Sequence, residues 1–250
     1  MKRYMLTIAY DGTGYCGWQL QPGQATVEGI INEKLSKLLK ENIEVIGASR
    51  TDSGVHAMGN VAVFDTETRI PAEKICYALN HELPEDIVIQ SSREVPGNFH
   101  PRKCDSFKTY EYKVWNAEFV QPFSRKYTYF VYKKLDVDAM NKAAEALIGT
   151  HDFTSFCSVH TQVPDHVRTI YSAEWKKEGN LLTFRIRGNG FLYNMVRIIA
   201  GTLIQVGLGE RSAESLKETL SSCNREAAGP TAPPQGLTLV GIEFPDLQEK

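Results

Sequence analysis

Residues 26–39 read TVEGIINEKLSKLL, and they carry the clearest secondary-structure signal in the chain. Their apolar side chains recur at spacings of three and four, which places them on one stripe of a helix. Thr26 stands just before the first of these apolar residues. Ahead of this helix, Tyr4–Tyr10 alternates as a strand does. After it, Ile43–Ala48 and Val61–Asp65 predict two more strands.

The rest of the chain continues this mixture of strands and helices. The first half is completed by a short helix that Pro71 opens and by a strand at Ile87–Ser91. The second half is predicted to contain strands at Phe107–Trp115, Tyr127–Tyr132, Arg168–Lys177, Leu181–Arg187 and Leu237–Phe244, and helices at Met140–Leu147, Phe191–Val206 and Ser212–Ser222. Residues 229–236 are too rich in proline and glycine for regular structure. We expect an α+β protein of two related halves, residues 1–103 and residues 104–250.

The composition is that of an ordinary folded protein. The 250 residues include 28 Lys+Arg and 30 Asp+Glu, a net charge of −2, and 42% are hydrophobic. This length allows one large domain or two small ones, and the composition excludes disorder, collagen and coiled coil. Met1–Asp11 reaches an acidic residue before any apolar signal core, so a cytoplasmic location without membrane attachment is expected. Phe191–Leu208 carries Arg197 near its middle, which favours a soluble helix over a membrane span.

The cysteines and histidines do not form a recognisable metal site. The five cysteines are scattered and include no C-x-x-C pair, so neither a disulfide framework nor a structural zinc site is predicted. Cys157, His160, Asp165 and His166 lie close together in sequence, but their spacing matches no standard zinc motif. A polar loop is therefore expected there, and no bound metal. Serine-hydrolase chemistry also lacks its G-x-S-x-G motif.

A glycine-rich segment near the N-terminus invites a dinucleotide-binding interpretation. Gly12–Gly17 matches the pattern G-x-G-x-x-G and follows a predicted strand. In that fingerprint the glycines open a helix whose N-terminus binds the pyrophosphate. Here Gln21–Gly23 intervenes, and the helix starts only near Thr26. The sequence favours a flexible loop that carries Trp18 over a nicotinamide-dependent oxidoreductase.

The segment Arg93–Lys134 is basic and aromatic although the whole chain is nearly neutral. It holds nine Lys/Arg against four acids, and eleven of the 25 aromatic residues. Cations for phosphates, interleaved with flat rings for bases, are typical of a surface that binds RNA with unstacked nucleotides. The same pattern is also typical of strands with an aromatic core side and a solvated basic side. Composition alone does not decide between these interpretations.

Asp52 and Arg197 form the most informative pair of charged residues. Arg197 is the only formally charged side chain between Gly188 and Gly209, on a mostly apolar helix. A buried guanidinium keeps its proton and needs a carboxylate or an anionic ligand. Asp52 is a candidate partner because it lies on a polar turn, Arg50–Gly54, between two predicted strands. Alternatively, Asp52 only caps its own turn and Arg197 meets a carbonyl or a surface acid.

Residues 47–57, GASRTDSGVHA, resemble the active-site motif of the tRNA pseudouridine synthases of the TruA type. Further blocks resemble that family in the same order along the chain: residues 9–19 (AYDGTGYCGWQ), 99–102 (FHPR), 108–112 (KTYEY), 151–156 (HDFTSF), 191–197 (FLYNMVR) and 232–237 (APPQGL). Ser49 and Ser53 stand where other members often have different small residues. Neither difference removes a group that the chemistry needs.

The resemblance implies a fold and a reaction. The fold has mainly antiparallel sheets with helices packed on one side, in two halves related by pseudo-twofold symmetry, with a cleft between the halves. The protein would be a homodimer that binds tRNA, and it would need no metal, nicotinamide or flavin cofactor. The reaction breaks the C–N bond between ribose and uracil, turns the base over and rejoins it through C5. Its expected targets are uridines 38, 39 and 40 in the anticodon stem-loop of tRNA.

The resemblance also assigns roles to individual residues. It implies that Asp52 is the catalytic carboxylate, acting at the ribose or as a base toward it, and that Arg197 keeps Asp52 ionised. Tyr110 would stack on the target base and is placed for proton transfer. The reacting uridine must leave its stack, and Arg50 is a candidate to hold the backbone or fill the vacated space. Candidate contacts to tRNA phosphates are Arg102, Lys103, Lys108, Arg125 and Lys126.

Two other classes of function are alternatives to a pseudouridine synthase. A non-catalytic RNA-binding or chaperone module would show the same basic segment, but its cellular role would survive replacement of Asp52. A dinucleotide-dependent oxidoreductase would have to use Gly12–Gly17 and would bind nicotinamide in a titration.

Overall fold

The computed structural model describes residues 1–159 and 163–247, which divide into two compact units. The first unit consists of Met1–Ser106 together with the segment from Leu239 onward, and the second is Phe107–Thr238. The sequence predicts that the second half runs without a break to residue 250. In the structure, the chain from Leu239 onward instead belongs to the first unit. There the partly buried side chains of Ile242 and Phe244 pack against a core cluster.

The first unit is a mostly antiparallel sheet with two helices. Its elements are β1 (Lys2–Tyr10), α1 (Val27–Leu39), β2 (Ile46–Gly47), β3 (His56–Thr66), α2 (Ala72–Asn80), β4 (Ile87–Val95) and the part of β10 (Leu237–Glu243) from Leu239. The strand order is β4-β1-β3-β10, with β2 beside β3. β1 pairs antiparallel with both β3 and β4, so it lies in the interior of the sheet.

Helix α1 forms as the apolar spacing predicts. Thr26 caps it, since its hydroxyl oxygen accepts a hydrogen bond from the Gly29 N–H at 3.3 Å. Val27, Ile31 and Leu35 are all fully buried on one stripe. The helix ends before Lys40, which adopts a left-handed conformation.

Several boundaries in the first unit differ from the sequence prediction. The strand predicted at Ile43–Ala48 is reduced to β2, because α1 side chains take the backbone N–H groups before it. Ile43 N–H donates to the Ser36 hydroxyl and Val45 N–H to the Asn32 carboxamide oxygen, each at 2.9 Å. The next strand, β3, is longer than predicted. Helix α2 begins one residue after Pro71, which serves as its N-cap.

The described residues of the second unit form mostly antiparallel strands, one short parallel strand and three α-helices. Its elements are β5 (Phe107–Asn116), β6 (Tyr129–Val131), α3 (Val137–Ala144), β7 (Gly149–Asp152), β8 (Val167–Glu178), β9 (Leu181–Gly188), α4 (Met195–Gly207) and α5 (Ser215–Ser222). Strands β5, β9, β8 and β7 are neighbours in that order, and β6 pairs in parallel with β5. The mixed, mostly antiparallel architecture that the sequence predicts is thereby confirmed.

The predicted hairpin around residues 178–180 is present as β8 and β9. Gly179 has a positive φ of 59° in its turn. Trp175 and Phe184 stack on its buried face, with ring centroids 5.1 Å apart. The Asn141 side chain of α3 bonds to both the N–H and the carbonyl of Trp175, so this helix is anchored on the buried face of the hairpin.

Two predictions for the second unit were wrong at their boundaries. The helix expected from Phe191 begins only at Met195, because Asn194 adopts a left-handed backbone with φ of 61°. The strand expected at Tyr127–Tyr132 shrinks to β6, since the Ser124 carbonyl accepts hydrogen bonds from the Tyr127 N–H and the Thr128 hydroxyl. These bonds form a turn ahead of the strand.

Candidate active site

Asp52 begins a tight turn that directly precedes β3. The Val55 N–H donates to the Asp52 carbonyl at 3.1 Å, which closes the turn over Ser53 and Gly54. Gly54 has a φ of 76°, the conformation that a type II turn requires at its third position. The Asp52 side chain is half-buried and Arg50 is exposed. The turn therefore holds a carboxylate at a defined place without sealing it in the core.

The glycine-rich segment Gly12–Gly17 packs directly on this turn. A Cβ at Gly12 would collide with the Val55 carbonyl oxygen, and a Cβ at Gly17 would lie 2.6 Å from the Thr51 carbonyl oxygen. The Trp18 N–H donates to that same Thr51 oxygen at 3.0 Å. These glycines thus allow two backbone segments to approach each other, which is the role of a residue without a Cβ.

The loop expected to be flexible is therefore a packed support. Trp18 is only 1% exposed, and its indole lies against Gly47, where a Cβ would collide with the ring. Gly12–Gly14 forms a single 3₁₀ turn, and α1 begins only at Val27. No helix opens at these glycines, so the segment lacks the helix N-terminus on which a dinucleotide pyrophosphate would rest.

Tyr10, Asn60 and the two residues around Arg50 share a buried polar network. The hydroxyl oxygens of Tyr10 and Thr51 are 2.7 Å apart. The Asn60 amide donates to the Tyr10 oxygen at 3.4 Å and to the Ser49 carbonyl at 3.0 Å. Sequence reasoning missed Tyr10 and Asn60, although Tyr10 lies within one of the resembling blocks.

His56 and Asp11 connect the glycine segment to the start of β3. The Gly12 N–H donates to His56 Nδ1 at 3.1 Å, and Asp11 Oδ1 lies 3.1 Å from the same nitrogen. One ring nitrogen cannot accept from Gly12 and donate to Asp11 at once, so these two contacts are alternatives. Asp11 also accepts from the Thr13 N–H and hydroxyl.

Tyr110 lies on β5 in the second unit and is 6% exposed. Its ring makes an edge-to-face contact with Phe191 at 5.2 Å, and it stands opposite Ile186 on β9. Tyr112 lies on the same face, where its hydroxyl donates to the Pro233 carbonyl at 2.8 Å and burial raises the pKa of that hydroxyl. The contact with Phe191 therefore restricts the orientation of the Tyr110 ring.

Arg197 lies in the first turn of α4, a helix that is buried along most of its length. Arg197 itself is only half-buried, in contrast to the buried guanidinium that the sequence suggests. Its Nε donates to the Ala232 carbonyl at 2.8 Å, and its Nη1 to the Asn194 side-chain oxygen at 2.7 Å. The structure agrees with the alternative in which Arg197 donates to a backbone carbonyl, since its Nε does so. The predicted pairing with Asp52 stays a prediction.

The family of the chain follows from a comparison with known proteins. A family model described as tRNA pseudouridine synthase matches residues 6–102 and 143–245. The chain belongs to the tRNA pseudouridine synthase family. The matched residues include the Asp52 turn and Arg197, whereas Tyr110 lies between the two matched segments.

Relatives named tRNA pseudouridine synthase A match nearly the whole chain. The one from Brevibacillus brevis is 49% identical over 244 residues, which cover 98% of this chain and 100% of the relative. The one from Halalkalibacterium halodurans is 48% identical over 95% of this chain and 90% of its own. The one from Anoxybacillus flavithermus is 49% identical over 98% of this chain and 99% of its own. The resemblance drawn from the sequence motifs is thereby confirmed.

The five cationic residues that are candidates for tRNA phosphate contacts differ in solvent exposure. Arg102 and Lys103 in the first unit, and Arg125 and Lys126 in the second, are exposed, whereas Lys108 is half-buried. Arg125 also donates to the Pro122 carbonyl at 2.6 Å, which restricts its position. Exposed cations are compatible with phosphate contacts.

Within residues 1–159 and 163–247, no group of three or more histidine, cysteine or acidic side chains could hold a metal ion. His160, which belongs to the polar loop expected around Cys157 and His166, lies outside the described residues. Among the helices of the described chain, none is long and apolar enough to cross a membrane.

Proposed function

We propose that this protein converts uridine to pseudouridine at positions 38, 39 and 40 of the tRNA anticodon stem-loop, without a cofactor. The match to the tRNA pseudouridine synthase family over most of the chain carries this proposal. Its relatives of similar length are named tRNA pseudouridine synthase A. The rigid turn around Asp52 supports it further, because a preorganised carboxylate suits a reaction that needs no bound metal.

The reaction is an isomerisation, so the product has the same composition as uridine although one hydrogen exchanges with solvent. The bond from uracil N1 to ribose C1′ breaks, the base turns over, and C5 forms the new bond to C1′. The proton on C5 is lost, and N1 gains one. We propose that Asp52 is the carboxylate that acts at the ribose or as a base toward it. Its half-buried position on a turn with a left-handed glycine supports either role.

Tyr110 is proposed to stack on the target base and to take part in proton transfer. Its edge-to-face contact with Phe191 supports the stacking role, because a ring restricted in orientation loses little freedom when a base stacks on it. Tyr110→Phe keeps the ring and removes the hydroxyl. We expect lower turnover with unchanged tRNA binding, measured by product formation and filter binding. Unchanged turnover would remove the hydroxyl from the mechanism.

Arg197 is proposed to pair with the catalytic carboxylate and keep it ionised. Its hydrogen bonds to Ala232 and Asn194 support this role, since they fix the guanidinium in one orientation. We propose that Arg50, which is exposed two residues before Asp52, holds the tRNA backbone or fills the space left by the flipped uridine. The proposed phosphate contacts are Arg102, Lys103, Lys108, Arg125 and Lys126.

The protein is further proposed to act as a homodimer in the cytoplasm, where its tRNA substrate is found. An exposed apolar segment of the second unit supports association: Phe119 is 74% and Phe123 is 93% exposed. Large apolar side chains at such exposure are typical of an interaction surface. Sedimentation of the wild type and of Phe123→Ser tests this. A wild type that sediments as a monomer at micromolar concentration would exclude the dimer.

The deciding experiment is release of tritium from tRNA labelled at uridine C5, with no added cofactor. We expect release with the wild type and none with Asp52→Asn, because loss of the C5 proton accompanies the new bond. Asp138→Asn, an exposed acid in the first turn of α3, is the matched control and should release tritium normally. A folded wild type that binds tRNA but releases no tritium would favour a non-catalytic RNA-binding module instead.

A further inference from the structure

We propose that the buried hydroxyl of Tyr10 is a positioning group of this site, which holds the backbone around Arg50 and thereby sets where the Asp52 carboxylate lies. The inference rests on the role proposed above for Asp52. It assigns a function to a residue on β1 that the sequence places 41 positions from its hydrogen-bond partner Thr51.

The network begins at Asn60, whose side chain is fully buried on β3. Its carboxamide oxygen accepts from the Val61 N–H at 2.9 Å, which fixes the orientation of the amide. The two amide hydrogens then point to the Ser49 carbonyl and to the Tyr10 oxygen. With the Tyr10 oxygen accepting from Asn60, its own hydrogen is available for the Thr51 hydroxyl oxygen at 2.7 Å.

This arrangement fixes the chain on both sides of an exposed arginine. Ser49 is held through its carbonyl and Thr51 through its side chain, and both are buried while Arg50 between them is exposed. Thr51 is held a second time, because its carbonyl accepts from the Trp18 N–H at 3.0 Å. Asp52 therefore follows a residue that is tied through both backbone and side chain.

The polar bonds of this network lie among apolar residues. Tyr10 is 4% exposed, and its ring packs near the Trp18 indole with centroids 6.0 Å apart. Hydrogen bonds in such surroundings rigidify their members more than bonds exposed to water do. Removing the Tyr10 hydroxyl takes a partner from both Thr51 and Asn60 while leaving the aromatic ring and its packing in place.

Loss of this hydroxyl should lower the rate more than the affinity for tRNA. A displacement of about 1 Å in a catalytic group costs on the order of a hundredfold in rate, whereas the proposed phosphate contacts other than Arg50 lie outside this network. We expect Tyr10→Phe to reduce kcat by roughly ten- to hundredfold. We expect the Kd for tRNA to change by less than about threefold, because phosphate contacts dominate affinity.

A second tyrosine on the same strand supplies the control. Tyr4 is also buried, and it points to the same face of β1 because it lies six residues away. Its hydroxyl donates to the Ile70 carbonyl at 3.1 Å, far along the strand from Thr51. Tyr4→Phe removes one part-buried hydrogen bond, whereas Tyr10→Phe removes two buried ones, so thermal unfolding is compared together with kcat to separate lost stability from lost positioning.

The experiment measures kcat, KM, tRNA affinity and thermal unfolding for Tyr10→Phe, Tyr4→Phe, Thr51→Val and Thr51→Ser, using tritium release from tRNA. We expect Tyr10→Phe and Thr51→Val to lose kcat alike, and the double variant to lose no more than either single one. Thr51→Ser keeps the hydroxyl and should recover most of the rate. Tyr4→Phe should keep the wild-type kcat.

The proposal is overturned if Tyr10→Phe and Tyr4→Phe lose kcat equally, or if the effects of Tyr10→Phe and Thr51→Val simply add. Should Tyr10→Phe not fold, the contrast between Thr51→Val and Thr51→Ser decides instead, and equal rates for these two contradict the proposal. A wild type without tritium release would contradict the proposed function itself. That outcome is distinct from an active wild type in which Tyr10 has no effect.

Discussion

Two segments of the molecule, the Asp52 turn and the start of α4, each present one charged side chain, but they are held by different means. The turn is held by residues distant in sequence: Trp18, the glycine segment before it, and the Tyr10 hydroxyl on β1. The start of α4 combines a local bond with a distant one: Asn194 takes the left-handed backbone and accepts from Arg197 three residues later, and Arg197 Nε donates to the Ala232 carbonyl 35 residues away. Damage to the turn should therefore come mainly from distant substitutions, whereas the start of α4 should also be sensitive to substitution of its neighbour Asn194.

The largest effect is expected from Gly12→Ala, which tests the distant support of the turn. The new Cβ would collide with the Val55 carbonyl oxygen, and neither backbone segment can yield cheaply. We expect a loss of about 1–3 kcal/mol in the free energy of unfolding, together with a large loss of turnover. Thermal unfolding and tritium release measure the two effects.

Gly14→Ala is the matched control in the same segment. Nothing lies within 4 Å of a Cβ at Gly14, and its backbone does not require glycine. We expect a change within about 0.5 kcal/mol and normal turnover. If both variants behaved alike, the close approach of the glycine segment to the turn would not matter for the site.

Arg197→Met is the next test, and it concerns the start of α4. It removes the bonds to Ala232 and Asn194 while keeping much of the aliphatic packing. We expect a stability loss of roughly 1–3 kcal/mol and a marked fall in turnover. Arg211→Met, which removes a bond to the Ala227 carbonyl in the same unit, should lower stability without lowering turnover. A normal turnover in Arg197→Met would contradict the proposed pairing.

Asn194 separates backbone conformation from side-chain support at the start of α4. Asn194→Ala places an alanine in the left-handed region, which costs roughly 1–2 kcal/mol, and also removes the oxygen that Arg197 contacts. Asn194→Gly keeps that backbone conformation and removes only the side chain. We expect the glycine variant to unfold at a higher temperature, with turnover lowered in both. Equal unfolding temperatures would mean that the left-handed backbone carries no cost.

The smallest effect is expected at the cap of α1, where the Thr26 side chain bonds within its own helix. Thr26→Ala removes the acceptor for the Gly29 N–H and should cost about 1 kcal/mol of stability, with kcat unchanged. Thr26→Ser keeps the acceptor and should restore most of that stability. A loss of kcat in Thr26→Ala would show that the support of the turn extends into α1.

Local elements were predicted well where one side-chain pattern dominates. Helix α1 follows from the apolar stripe of Val27, Ile31 and Leu35, and the hairpin of β8 and β9 follows from two alternating runs around a glycine. Predictions were wrong where one residue interrupts a pattern. Asn194 lies within an apolar run that predicts a helix, but its left-handed backbone delays the start of α4 to Met195. A glycine in a sequence often indicates a left-handed backbone conformation, whereas an asparagine adopts that conformation only in some contexts.

By itself, the sequence determined the family, the mixed fold, the turn at Gly54 and the three residues proposed for catalysis, because each depends on a short pattern or on motifs in order. Only the tertiary structure decided that Gly12–Gly17 is a support for the turn, and that Tyr10 and Asn60 hold the residues around Arg50. Tyr10 and Thr51 are 41 residues apart, and Asn60 and Ser49 are 11 residues apart. Their formation depends on strand register and on the close approach of two backbones, which no local pattern specifies.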